Sequence, residues 1–145
     1  MKSKPTKYAV ALVIYNEDKS KYLIVKRPDD DDSLPGHWGF PALTKKSGMS
    51  WEDTVFEAAR NKLGVEIDIV KMIGEEKSDR GDYYLILRDY EVKVTSGVPK
   101  VPQKDTTNTQ YVEYIFTDEV EELKKSARSG SLCSAIFLRS RGVEF

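Results

Sequence analysis

Four side chains, Glu57, Ala58, Asn61 and Lys62, occupy the middle of the segment WGFPALTKKSGMSWEDTVFEAARNKLGV, which runs from Trp38 to Val65. On a helix, positions four apart share a face, so 57/61 and 58/62 point the same way. This face offers one carboxylate, one amide and one ammonium, with net charge near zero. A hard cation such as Mg²⁺ wants several oxygen ligands in an octahedral shell, so Lys62 at its centre opposes tight metal binding. Unit charges about 4 Å apart interact by roughly 4 kcal/mol at an effective dielectric of 20, and a divalent ion doubles that. Other carboxylates are scattered: Asp29–Asp32 in a loop, Glu66 after the helix, and Glu75, Glu76, Asp79 and Asp82 around a turn. The aspartate run reads as a solvated, self-repelling loop and the second cluster as exposed turn carboxylates. His37, the sole histidine, reads as a surface or packing residue.

These residues need a scaffold, and the chain supplies it in short runs. Ser50 followed by Asp53 is a capping box, and Gly64 fits the position after Leu63 that ends a helix. Trp51, Val55, Ala59 and Leu63 form the apolar stripe of that helix. Upstream, Tyr8–Tyr15 and Tyr22–Arg27 read as strands joined in a hairpin by the polar stretch 16–21. Trp38–Thr44 is a short extended segment. Downstream, Ile67–Ile73 and Tyr83–Val94 read as strands around an Asp79-Arg80-Gly81-Asp82 turn, and Tyr111–Phe116 as another. Thr95–Thr109 is a Pro/Gly/Thr-rich loop. Thr117 or Asp118 caps a helix through Ala127, and Ser131 caps a last one over Leu132–Ser140. The order predicts a single α+β domain over 1–145, a mixed β-sheet flanked by helices in an α/β/α sandwich.

The 145 residues suffice for one core without staples. With 23 basic against 24 acidic residues, no charge excess points to nucleic acid or an anionic membrane as partner. The longest apolar run is far below the roughly 18 residues of a membrane span. The basic start MKSKPTKY lacks the apolar h-region and cleavage site of a secretory signal, so none is expected. Cys133, the only cysteine, excludes an intrachain disulfide and reads as a small buried apolar residue. A cytoplasmic protein is expected.

Laid on without gaps, the segment resembles the Nudix box of the MutT-like Nudix hydrolases. Pro35-Gly36-His37-Trp38-Gly39-Phe40-Pro41 matches the aromatic-Pro-Gly approach, and Gly48, the helix start, Ala59 and Leu63-Gly64-Val65 fall in register. Tyr22–Arg27 looks like the family's strand ending in Lys/Arg, and Tyr111–Glu122 like its strand followed by an acidic helix. The resemblance implies a Nudix-like fold. It also implies where charge belongs: the family's Gly, five residues, Glu, seven residues, then Arg-Glu-apolar-any-Glu-Glu. At those positions this chain has Leu43, Met49, Glu57, Ala58, Asn61 and Lys62. The box is degenerate.

Family members hydrolyse a diphosphate linked to another moiety, with Mg²⁺ as Lewis acid and template. Here the resemblance implies a non-catalytic protein that binds a nucleotide, a nucleoside diphosphate derivative or a macromolecular partner. Arg27, Asn61 and Lys62 would contact phosphates directly, with Trp38 or Phe40 flanking the base; no cofactor or metal is expected. Two alternatives stay open. One is a working Mg²⁺-dependent hydrolase with relocated carboxylates, Glu57 as its catalytic group and Glu57 with Glu66, or the cluster Glu75, Glu76, Asp79 and Asp82, on the metal. The other is a pure interaction module whose old pocket is filled by Met49 and Leu43. A homodimer is expected by analogy with small folds of this kind.

Overall fold

A computed structural model describes residues 4–31, 34–101 and 111–145. Two sheets share the work. In the larger, strands β1 (Thr6–Ile14), β4 (Ala42–Thr44), β5 (Glu66–Asp79) and β6 (Tyr84–Ser96) lie in the order β4-β1-β6-β5. In the smaller, β2 (Tyr22–Lys26), β3 (Trp38–Gly39) and β7 (Glu113–Thr117) lie in the order β3-β2-β7. Helix α1 (Trp51–Leu63) covers one side, while α2 (Glu121–Arg128) and α3 (Leu132–Ser140) cover the other. The α+β class and the mixed, helix-flanked sheet are as the sequence implies.

β1 runs parallel to β6, from Thr6 opposite Tyr84 to Ile14 opposite Val92, and antiparallel to β4. Its alternate side chains feed two cores. Val10, Leu12 and Ile14 meet Val55, Ala59 and Leu63 of α1, whereas Ala9, Ala11 and Val13 face Ile136 and Phe137 of α3. A strand buried on both faces reads as an unbroken apolar run. That burial also overturns the expected hairpin with β2. Both edges of β1 are occupied, and only the isolated bridge Tyr15–Tyr22 links the two strands before they diverge into separate sheets.

The first helix is closed at both ends by the residues that signalled it. Ser50 Oγ accepts the Asp53 N–H at 3.0 Å, and Gly64 takes φ 70, a left-handed conformation costly for side-chain-bearing residues. The later helices differ from expectation. α2 starts at Glu121 with no side-chain cap, because Thr117 Oγ1 instead accepts the Glu119 N–H within the preceding turn. Ser131 stands at the N-cap of α3, yet its hydroxyl donates to Ser134 Oγ at 3.0 Å rather than capping the backbone. β5 extends to Asp79 and β6 to Ser96, so the expected 95–109 loop begins later. Its residues 102–109 lie outside those described, as does Asp32. Among the described residues no helix is long and apolar enough to cross a membrane.

The second core holds a carboxylate. Asp89 is 0 % exposed, and neither oxygen has a hydrogen-bond partner among the described residues. It sits opposite Gly74, where an added Cβ would lie 2.9 Å from Ile136 Cγ2, so α3 closes directly over the β5–β6 pair here. Burial, reinforced by the Glu76 carboxylate, holds Asp89 well above the usual carboxylate range.

Two measurements follow from this packing. Ser50→Ala removes one satisfied donor at the α1 N-terminus and should cost about 1 kcal/mol in urea unfolding. For Asp89 the folded pKa is raised, so above the unfolded carboxylate's pKa the unfolded chain releases a proton that the fold retains. Stability then declines with pH, by up to about 1.4 kcal/mol per unit, until the folded group also ionises. Asp89→Asn should therefore gain Tm over wild type increasingly as pH rises above about 4, the usual carboxylate pKa. A gain that is flat above that value would mean Asp89 is already ionised in the fold.

Candidate functional site: a cationic cleft beside the first helix

Beside α1 an open cleft of about 320 Å³ is lined by Lys7, Arg27, Leu43, Lys62, Tyr83 and Tyr111, among others. It continues into a second space of about 490 Å³ that shares Arg27, Ala42, Thr44, Tyr83, Leu85 and Leu87 and reaches Arg80 and the start of α3. Stretches far apart in the sequence meet here. The parallel β1–β6 pairing brings Lys7 opposite Leu85, and the β1–β4 pairing adds Ala42 to Thr44. Arg27 follows β2, and Lys62 comes from the last turn of α1.

Lys62 is 3 % exposed, with Nζ 5.5 Å from the centre of the Tyr111 ring. Burial, helped by repulsion from Arg27, pulls its ammonium down to about 8. Tyr111 is also buried. Its hydroxyl accepts the Ala42 N–H at 3.0 Å, and burial pushes its pKa up to about 12. Arg27 is held by Asp31 at 3.1 Å, and Asp31 in turn accepts the Leu34 N–H. Lys7 lays its ammonium 4.4 Å from the centre of the Tyr83 ring. Lys7, Arg27, Lys62 and Arg80 line the combined cleft, and no carboxylate lines it among the described residues. Such a surface attracts anions.

Of the expected ligand contacts, Arg27 and Lys62 line this cleft, whereas Phe40, Trp38 and Asn61 do not. Phe40 is 2 % exposed and packs between Tyr22 and Phe137 in the second core, at 6.0 and 4.9 Å between ring centres. Its ring is not available to flank a base. Trp38 is half-buried against the same core on β3. Asn61 donates to Glu57 Oε1 at 3.2 Å on the outer flank of α1. The aspartate loop is not merely solvated either, because the Asp31 side chain is 3 % exposed and orients Arg27.

The residues present do not fit the Mg²⁺ that the resemblance implies. Ala58 brings no oxygen, and Lys62 brings positive charge. Glu57 is paired with Lys46 at 3.3 Å and Glu66 with Arg60 at 2.8 Å, and neither lines the cleft. The second carboxylate cluster is dispersed as well: Glu75 pairs with Arg88, Glu76 with Arg139 and Asp79 with Lys4. Among the described residues no group of three or more His, Cys, Asp or Glu side chains is placed to hold a metal. His37 instead touches Ser126 of α2, and Cys133 is buried.

Sequence reasoning missed Lys7, Tyr83, Arg80 and the role of Tyr111. None carries a local signal, since each reaches the cleft only through the pairing of strands far apart in the chain.

No family model matches the chain, and no curated protein matches it. Solved structures do. A MutT protein from Methanosarcina mazei Go1 superposes with TM-score 0.73 at 16 % identity, covering 98 % of this chain and 97 % of that one. A Nudix hydrolase from Nitrosomonas europaea gives 0.70 at 17 %, covering 96 % and 89 %. An ADP-ribose pyrophosphatase from Streptococcus suis gives 0.61 at 17 %, covering 96 % and 94 %. At these identities the likeness is one of architecture, and it extends over nearly the whole chain: this protein has the Nudix fold.

Proposed function

We propose that this protein binds a nucleoside diphosphate derivative in the cationic cleft, without a metal ion and without hydrolysing it. The observation that carries this reading is Lys62. It stands where the resembled motif has a metal-binding glutamate, it is buried in the cleft wall, and Arg27 lines the same cleft. A metal cradle is anionic and recruits a cation to meet phosphates. This cleft is itself cationic and meets them directly.

Charge-assisted bonds from Arg and Lys to phosphate oxygens are stronger than neutral ones, and the fork of Arg27, already oriented by Asp31, suits a phosphate edge. The adjoining space has Leu34, Leu85 and Leu87 on its walls with the Tyr83 ring at its rim, which suits the apolar faces of a base or sugar. The solved ADP-ribose pyrophosphatase of the same fold makes ADP-ribose a fitting first ligand to test. An interaction module would have this space closed by Leu43 and Met49. Leu43 does point into the first core, but the cleft remains open.

Calorimetric titration with ADP-ribose should show binding in EDTA, unchanged by added Mg²⁺, with the ligand recovered intact. Binding that requires Mg²⁺, or turnover that disappears in Glu57→Gln, would instead establish the metal-dependent hydrolase. Lys62→Glu should weaken binding by about tenfold to a hundredfold, the worth of one charge-assisted bond. The pH dependence has a definite sign. Lys62 is protonated below about 8 and neutral above it, so affinity should hold at lower pH and fall as pH rises through that value. In Lys62→Arg the affinity should persist and the fall should vanish, because arginine stays charged.

A further inference from the structure

The cleft holds a nucleophile as well as a charge. Lys62 is a buried amine in its wall, the Tyr111 ring centre lies 5.5 Å from its Nζ, and two further cations, Arg27 and Lys7, line the same space. Burial and a neighbouring cation are the two devices that keep a lysine amine neutral and nucleophilic near physiological pH. Tyr111 Oη accepts from the Ala42 N–H, which fixes the phenol and leaves its own O–H to donate. The same burial that lowers the Lys62 ammonium to about 8 keeps Tyr111 protonated.

We propose that Lys62 forms an imine with a phosphate-bearing aldehyde whose phosphate is held by Arg27 and Lys7 and whose carbonyl oxygen receives a hydrogen bond from Tyr111. The chemical class is an open-chain aldose phosphate or a similar phosphorylated aldehyde. This rests on the cleft binding phosphate groups, as proposed above. The neutral amine adds to the carbonyl carbon, forming a C–N bond as the C=O π bond opens onto oxygen. Tyr111 donates to that oxygen as charge develops, giving a carbinolamine. The carbon–oxygen bond then breaks, and both amine hydrogens leave with the oxygen as one water, so that amine and aldehyde give imine and water with no redox change. The cleft accommodates both partners because phosphate and amine are served by different side chains. Arg27 and Lys7 carry the charge, and Lys62 makes the bond.

Pyridoxal 5′-phosphate is the probe, with unphosphorylated pyridoxal as its control. Each is incubated with the full chain and trapped with cyanoborohydride, and the adduct is read by intact mass and peptide mapping. One adduct is expected, on Lys62, forming about tenfold faster with the phosphorylated aldehyde. Its rate should rise as pH passes through about 8. Lys62→Arg should lose the adduct. Tyr111→Phe should keep it but form it more slowly, and Arg27→Gln should erase the preference for phosphate. Labelling spread evenly over exposed lysines such as Lys19 and Lys46, or undiminished in Lys62→Arg, would overturn the proposal. Equal rates with both aldehydes would overturn the phosphate anchor.

ADP-ribose titration of Lys62→Arg separates this inference from the function on which it rests. If binding persists while wild type takes up no adduct, the imine is refuted and the anion cleft stands. If neither ADP-ribose nor the phosphate group has any effect, the cleft reading fails with it.

Discussion

The parallel pairing of β1 with β6 is the constraint on which the rest of the structure depends. β1 is occupied on both edges and buried on both faces, so it orders two cores at once. Val10, Leu12 and Ile14 fix α1 on one side, while Ala11 and Val13 leave room for α3 on the other. Small residues on the second face matter because α3 approaches closely enough to require Gly74 opposite Asp89. The cleft is a by-product of this arrangement. Where β1 begins, Lys7 and Ala9 face Leu85 and Leu87 across the pair, and the gap toward Arg27 and Lys62 remains open.

Within that gap the sign of the charge decides the chemistry. A carboxylate set would draw a divalent ion, and the ion would draw phosphates. Lys62 short-circuits the sequence by presenting positive charge in the wall itself. The surrounding carboxylates are in keeping with this. Asp31 supports Arg27, Glu57 answers Lys46, and Glu66 answers Arg60, so each acid neutralises a base outside the cleft or orients one at its rim. The exposed pairs contribute little to stability on their own. Their consequence is that neither Glu57 nor Glu66 reaches the space where a metal would be wanted.

Much of this was legible in the residues. The Ser50 cap, the Gly64 stop and the Val55-Ala59-Leu63 stripe are local signals, and local signals specify a helix well. The same helix placed Lys62 beside its cleft by simple periodicity. What local patterns could not show is which strands become neighbours. The β1–β2 turn looks like a hairpin because its residues are turn formers, and it does close a single bridge; only the competition of β4 and β6 for the edges of β1 sends β2 elsewhere. Phe40 was misplaced for a related reason. The motif resemblance set it beside a base, but here the chain leaving β3 turns its ring into the Tyr22–Phe137 cluster. Tyr111, Lys7 and Tyr83 were invisible because contacts across the fold leave no mark on adjacent sequence.

Burying a lysine is costly, because its ammonium must give up water. Leucine or methionine at position 62 would fill the wall without desolvating an ammonium. The face carrying Ala58 and Lys62 is otherwise buried against apolar neighbours, where such a replacement would pack. Asp89 presents the same cost in the second core, but there the group can shed its charge by keeping its proton, and it lines neither part of the cleft. Lys62 differs in both respects. It stays close to the boundary between charged and neutral near physiological pH, and it does so at the wall of an open space lined by other cations. A group held at that boundary responds to whatever enters: an anion stabilises the ammonium, and a carbonyl captures the amine. Both proposed responses need the lysine where it is, which is the physical argument for resting those proposals on Lys62 rather than on the carboxylates around it.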